Sequence, residues 1–150
     1  MREIKFRGKR LDNGEWVYGA FVPDATERTH GDMVTWGFIR RHNIESGRME
    51  SIEVDRKSVG QYTGLKDKDG VEIYEGDIVE VNYTVKYIDP DKQDEEHTAI
   101  TRVYWNDFRA SFALEFHKFA NDDLYRFVRD KYAEVIGNIH DNPELLEGSA

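Results

Sequence analysis

Short runs that alternate apolar and polar residues, separated by turn-forming residues, constrain the fold of this chain most. Alternation places successive side chains on opposite faces of a strand and is typical of antiparallel sheets. The clearest run is Ile78 to Tyr83. Similar runs predict strands at residues 3–11, 16–21, 33–39, 51–54, 71–74, 99–105, 110–117 and 132–140. The chain is therefore predicted to be mostly β.

Turn and cap residues predict the connections between these strands. Residues 66–70 form a tight polar turn in which Gly70 takes a positive φ. Residues 55–60 are predicted to form one helical turn with Asp55 as its cap, and residues 143–146 a closing helical turn. Residues 40–50 and 86–98 are predicted to be loops, and residues 121–131 fit either a helix or a strand.

The strand pattern predicts two subdomains. Residues 1–58 would form an N-terminal β-hairpin region. It would pack on residues 59–150, folded as a small SH3-like barrel or a strongly bent antiparallel sheet with the closing helical turn. One compact domain is the alternative. A likeness of fold gives no function by itself.

Composition narrows the function classes. The 39% hydrophobic and 13% aromatic content is enough for a core. The absence of cysteine excludes disulfides, thiolate nucleophiles and iron–sulfur clusters. The chain shows neither a signal peptide nor an apolar run long enough to cross a bilayer, which favours the cytoplasm.

Charge is distributed unevenly along the chain. The net charge is −9, of which residues 1–60 contribute +1 and residues 61–150 contribute −10. An acidic protein does not attract a phosphate backbone through its overall field. Contact with nucleic acid would therefore be local and would use the N-terminal part.

The residues that could act in catalysis or bind a metal have spacings typical of turns and solvated surfaces. Residues 67–70 contain two Asp and a Gly, but the spacing is that of a β-turn rather than a calcium loop. The acid pairs at Asp89 and Asp91, and at Asp122 and Asp123, lie in hydrophilic stretches. The histidines lack metal-binding spacing: His30, His42, His97, His117 and His140. No cofactor and no metal site are predicted; a metal-dependent hydrolase using His117 and His140 is kept as an alternative.

The N-terminal strand offers the best case for a nucleic-acid interface. Lys5, Arg7 and Lys9 share one face by two-residue alternation, and Arg10 lies near the following turn. A basic stripe beside aromatic residues can hold phosphates while bases stack. The competing interpretation is a solvated strand face, and it is favoured because the rest of the chain is acidic.

Aromatic residues favour self-association. The chain has more large rings in its strands and turns than one small core easily hides: Trp36, Phe38, Trp105, Phe108, Phe112 and Phe116. Aromatic residues are enriched in the cores of interfaces. A homo-oligomer is predicted, with a monomer containing two small cores as the alternative.

Three blocks of the sequence resemble one family. They begin Arg2-Glu3-Ile4-Lys5-Phe6-Arg7-Gly8, Val59-Gly60-Gln61-Tyr62-Thr63-Gly64-Leu65, and Glu134-Val135-Ile136-Gly137-Asn138-Ile139-His140. Their order and their residues resemble those of the YopX family of phage and prophage proteins, over nearly the whole chain. The resemblance implies a phage or prophage origin in a bacterial host, and it supplies no catalytic residues.

These observations together predict a phage accessory protein that binds a host or phage protein and does not catalyse a reaction. The first alternative is nucleic-acid binding through Lys5, Arg7, Lys9 and Arg10. That alternative requires binding that weakens steeply with salt. It also requires a loss of affinity when these residues are changed to Glu. No membrane contact is predicted.

Overall fold

The computed structural model describes residues 1–23, 36–116 and 122–148, although the side chain of Trp36 lies outside this description. The chain divides into two compact units, Met1–Tyr62 and Thr63–Ala150. The division falls between residues 62 and 63, inside a long strand, whereas the sequence placed the junction after residue 58.

Unit 1 contains a four-stranded ring. Its strands are β1 (Phe6–Arg10), β2 (Trp16–Pro23), β3 (Trp36–His42) and the first part of β4 (Met49–Lys66). The order is β1-β2-β3-β4, and β1 also pairs with β4, so the sheet closes on itself. The core of the ring consists of Val17, Ile39 and Val54. Gly19 is required by close packing, because a Cβ there would lie 2.2 Å from the carbonyl oxygen of Arg40.

Residues 55–60 do not form the predicted helical turn. They belong to β4, where the pairing with β1 jumps from Asp55 opposite Lys9 to Gly60 opposite Arg7. The turn signal is nevertheless present locally, because the Lys57 amide donates to Asp55 Oδ1 and the Ser58 hydroxyl donates to the Asp55 carbonyl oxygen. The strand absorbs this turn as a bulge, and the Lys9 amide donates to Ser58 Oγ across it at 2.7 Å.

Unit 2 contains an open antiparallel sheet. Its strands are β6 (Asp77–Val85), β7 (Glu95–Asn106), β8 (Ser111–Leu114), β9 (Asp122–Asp123) and β10 (Ala133–Asn138), in the order β10-β6-β7-β8-β9. The end of β4 pairs with the short strand β5 (Glu72–Tyr74). The core includes Ile73, Val79, Val81, Val103 and Leu114, each at most 1% exposed.

Two helical elements complete unit 2. Helix α1 (Leu124–Arg129) buries Leu124 and Phe127, and a 3-10 turn occupies Pro143–Leu146 as predicted. Residues 122–129 therefore contain both a short strand and a helix, within the stretch for which the sequence left both open. Residue 121 lies outside the described residues. Neither element is long and apolar enough to cross a membrane, and the described residues contain no other helix.

The mostly β, antiparallel fold is confirmed. The closed ring lies in unit 1, while the sheet of unit 2 is open among the described residues. Two predicted loops are shorter than expected. Strand β3 continues to His42 and β4 begins at Met49, and β7 begins at Glu95, because in both places the paired strands extend as hairpins towards their turns.

Candidate functional site

The hairpin of β6 and β7 extends beyond the rest of its sheet. Strand β10 pairs with β6 only from Asp77 to Val81. Beyond that point β6 and β7 pair with each other, from Asn82 opposite Thr98 to Val85 opposite Glu95. We refer to residues 82–98 as the arm.

The tip of the arm is ordered by local hydrogen bonds. The Asp91 amide donates to Asp89 Oδ1 at 3.0 Å, and the Lys92 amide donates to the Asp89 carbonyl oxygen at 3.1 Å. The Lys92 ammonium lies 5.0 Å from the centre of the Tyr87 ring. This framework holds Ile88 at the tip with its side chain fully exposed. The exposed Ile88 side chain is therefore available for contact with a partner.

The arm is acidic. It contains five carboxylates and two lysines, for a net charge of −3. The Glu95 carboxylate lies 3.2 Å from His97 Nε2. The negative charge of Glu95 raises the pKa of the neighbouring Tyr87 phenol. The His97 ring stacks on Tyr83, with ring centres 5.5 Å apart. The apolar tip is therefore surrounded by a negative field.

Several shallow clefts follow the arm, and two of them share lining residues. One, of about 430 Å³, is lined by Asn82, Thr84, Glu96, Thr98 and Tyr132, among others. A smaller cleft, of about 220 Å³, lies against Phe116, Phe127 and the ion-paired Arg126 and Asp122. Tyr83 and Thr84 line both clefts.

The predicted basic stripe is arranged differently from a solvated face. Arg7 is only 7% exposed, and its guanidinium lies 4.7 Å from the centre of the Trp16 ring. The Lys9 ammonium contacts the same ring at 5.5 Å, and the Lys5 ammonium lies 4.9 Å from the Tyr62 ring.

Ion pairs occupy the accessible ends of the stripe. Lys5 pairs with Glu3 at 3.3 Å, and Arg10 makes two bonds to the carboxylate of Asp12, which raises the pKa of Arg10 and lowers that of Asp12. Arg7 and Lys9 share the Trp16 ring, whereas Lys5 and Arg10 have separate partners. Nucleic-acid binding at this face stays a prediction.

Metal-site candidates do not converge in the described parts of the chain. There, no three histidine or acidic side chains lie close enough to hold a metal ion. His30 and His117 lie outside those parts, so the pairing of His117 with His140 is untested. The acid pairs have local partners, since Asp122 pairs with Arg126 and Asp89 orders the arm tip. The Asp67–Gly70 stretch forms the predicted turn, and Gly70 has a φ of +83°.

The aromatic residues predicted to drive self-association divide into two groups. Phe112 is buried, and Phe38 and Phe116 are half-buried. Trp105 is 39% exposed and Phe108 is 98% exposed at the turn between β7 and β8. The Asn106 side chain fixes that turn by accepting hydrogen bonds from the amides of residues 108 and 109.

The sequence does not predict the arm as a site, because its acidic composition and Pro90 are typical of a solvated loop. The signal for a hairpin is the alternation that continues from Tyr83 to Tyr87, and Ile88 follows it directly before the acidic stretch that begins at Asp89.

One family model and one solved structure are similar to this chain over nearly its whole length. The family model described as YopX protein matches residues 5–147. A solved structure described as protein EF1440 from Enterococcus faecalis is similar, with a TM-score of 0.53 and 25% identity. The similarity covers 97% of this chain and 99% of that one. No curated protein matches the chain significantly.

Proposed function

Because the chain belongs to the YopX family, we propose that it is a phage or prophage accessory protein that binds another protein through the arm and catalyses no reaction. The observation that carries this proposal is the fully exposed Ile88 on an ordered, acidic hairpin tip. The partner is a protein of the phage or of its bacterial host, met in the cytoplasm.

Burial of an apolar side chain and a small loss of conformational entropy both favour the arm as the contact region. An aliphatic side chain held in water gains roughly 1.5–3 kcal/mol when a partner buries it. The ladder to Val85 and the Asp89 turn order the arm before binding, so less conformational entropy is lost on association. The surrounding carboxylates would steer a basic partner and reject acidic ones.

The test compares two exposed isoleucines. Ile88→Ser removes the apolar tip of the arm, while Ile44→Ser removes an equally exposed side chain at the turn between β3 and β4. Tagged wild type and both variants are expressed in phage-carrying host cells, crosslinked and analysed by quantitative mass spectrometry.

The proposal predicts one protein partner at near-stoichiometric yield with wild type and Ile44→Ser. Its yield should fall about tenfold or more with Ile88→Ser, which corresponds to 1.4 kcal/mol or more of lost binding free energy. Equal recovery with all three proteins would refute the role of the arm. Recovery of nucleic acid alone would favour the basic-stripe alternative.

We also propose self-association, through the turn that carries Phe108. Phe108 is almost fully exposed, and Trp105, three residues earlier in the chain, is 39% exposed, so both rings are available to an interface core. Light scattering should give a mass above 17.6 kDa for wild type. Phe108→Ser should lower that mass to the monomer value, whereas Ile44→Ser should not. A monomeric wild-type protein would contradict this proposal.

A further inference from the structure

Most strand edges of the unit 2 sheet are short or covered. Along the outer side of β10, the Val135 amide donates to Asp67 Oδ2 at 2.9 Å, and the Ala133 carbonyl oxygen accepts from the Lys68 amide at 3.1 Å. At the other end of the sheet, β9 has only two residues. Protected or very short edges are how sheets avoid pairing with other chains.

Strand β7 pairs with β8 only from Val103, so its earlier residues also lack a described partner strand on that side. Strand β6 is distinguished by the 430 Å³ cleft that lies beside it. On its β10 side, the described residues provide no strand opposite Tyr83, Thr84 and Val85. The chain leaves this lane just before β10, because Lys131 takes a φ of +60° and its amide bonds to the Val128 carbonyl oxygen in the turn after α1. Among the described residues, the lane next to β6 is therefore open beyond Tyr132.

The direction of the open groups follows from one hydrogen bond. The Asn82 amide donates to the Tyr132 carbonyl oxygen, so the backbone groups of residue 82 point away from β7. Strand geometry repeats every two residues, and the amide and carbonyl of Thr84 point the same way. The 430 Å³ cleft runs beside this edge, between Thr84 and the half-exposed ring of Tyr132.

We propose that the β6 edge from Asn82 to Val85 accepts an extended, basic segment of the partner protein as an added strand. This inference rests on the proposed function and specifies how the arm would bind. Main-chain hydrogen bonds to Thr84 supply affinity, and the pockets beside the edge select side chains. Glu96 in the cleft and the net charge of −3 on the arm select basic ones.

A second copy of the chain is a poorer occupant of this edge. Two arms would bring two charges of −3 together. Symmetric antiparallel pairing centred on Thr84 would also place Lys86 of the second copy opposite Asn82. Tyr132 already holds that position through its bond to the Asn82 amide.

The test uses a display library of random linear ten-residue peptides, selected against the full chain. Thr84→Pro removes the outward amide without removing a bond between β6 and β7. Ile100→Pro is the matched control, because Ile100 pairs directly with Glu80, its amide points away from β6 on the opposite side of the hairpin, and it does not line the 430 Å³ cleft.

The proposal predicts enriched peptides with basic residues at alternating positions. Their affinity should fall at least tenfold in Thr84→Pro and with added salt, but not in Ile100→Pro. Hydrogen exchange on wild type provides a readout that does not depend on a variant folding: the bound peptide should slow exchange of the Thr84 amide. Failure to enrich such peptides, unchanged Thr84 exchange, or full binding by folded Thr84→Pro would each overturn strand addition.

The two proposals can fail separately. If the cellular partner is lost with Ile88→Ser but retained with Thr84→Pro, the arm binds its partner without strand addition. If both variants retain the partner, the arm is not the binding region.

Discussion

Two turns in unit 2 begin with an Asp that accepts the amide two residues later, but the two turns differ in burial and in their other hydrogen bonds. In one, Asp67 accepts the Asp69 amide at 2.9 Å, and in the other Asp89 accepts the Asp91 amide at 3.0 Å. Asp67 is only 7% exposed, and its second oxygen accepts the Val135 amide 68 residues away. Asp89 is exposed, and the bonds that order its turn stay between residues 89 and 92.

The contrast shows that an Asp turn can close a sheet or present a tip, depending on where its second oxygen points. The Asp67 turn covers the β10 edge and joins two distant parts of unit 2. The Asp89 turn leaves its surroundings open, and the exposed Ile88 precedes it. Substitutions can test whether stability depends on the first turn and local order on the second.

The largest effect is expected at Asp67. Asp67→Ala leaves three backbone amides without their acceptor, those of Asp69, Val71 and Val135. The expected loss in free energy of unfolding is about 3 kcal/mol, since a bond to a charged group contributes roughly 1.5–3 kcal/mol and exposed amides regain water. Urea unfolding followed by tryptophan fluorescence measures it.

Asp67→Asn separates the local turn from the long-range bond. An amide oxygen can still accept from Asp69 and Val71, but its NH₂ group faces the Val135 amide. We expect a loss of about 2 kcal/mol. A loss no greater than that of Asp89→Asn would mean that the bond to Val135 contributes little.

A smaller effect is expected at Gly70, which gives the Asp67 turn its shape. A Cβ at Gly70 would have no atom within 4 Å, so the cost of Gly70→Ala comes from its φ of +83° alone. That conformation costs an L-residue about 1 kcal/mol. Gly148→Ala is the control, because its Cβ is equally unhindered and its φ is not in the positive region. Equal stability of the two variants would argue against conformational strain.

Local sequence patterns predict the turns and strands of unit 2, but they do not predict its long-range hydrogen bonds. The Asp67–Gly70 turn and strand β6 follow from turn residues and alternation, which act over two to four positions. The bond from Asp67 to Val135 has no local signature, because nothing near Asp67 specifies a partner 68 residues later. The helical turn predicted at Asp55 failed for a related reason: its local bonds form, but pairing of β4 with β1 incorporates them as a bulge.

The arm was only partly predictable for the same physical reason. Polar residues and Pro90 indicate exposure, and the exposure is real. Whether an exposed segment is a loop or a paired hairpin depends on cross-strand contacts such as Val85 opposite Glu95. Alternation reveals those contacts weakly when both faces are polar.

Asp89→Ala should change global stability by about 0.5 kcal/mol or less, because the turn is exposed and its bonds are local. Its effect should instead appear in local order. Limited trypsin digestion after Lys92, measured by mass spectrometry, should become severalfold faster than in wild type. A cleavage rate unchanged from wild type would show that Asp89 does not order the arm tip.

The smallest effect is expected at the ion pair beside the Asp67 turn. Lys68 lies 2.5 Å from Glu134, and the hydrogen bond to that carboxylate raises the pKa of Lys68 above 10.5. A raised pKa means that the charged form is favoured in the folded state, so the contribution is complete below pH 10.5 and disappears as the pH rises through the raised value. Both side chains are about 40% exposed, and salt should screen the pair.

Lys68→Gln should therefore lower the melting temperature slightly at pH 7 in dilute buffer. The difference from wild type should shrink in 1 M salt, where the Debye length falls to about 3 Å, and again above pH 10.5. A difference that stays the same in high salt and at high pH would show that Lys68 acts through packing of its alkyl chain, so that this exposed residue would stabilise the fold without its charge.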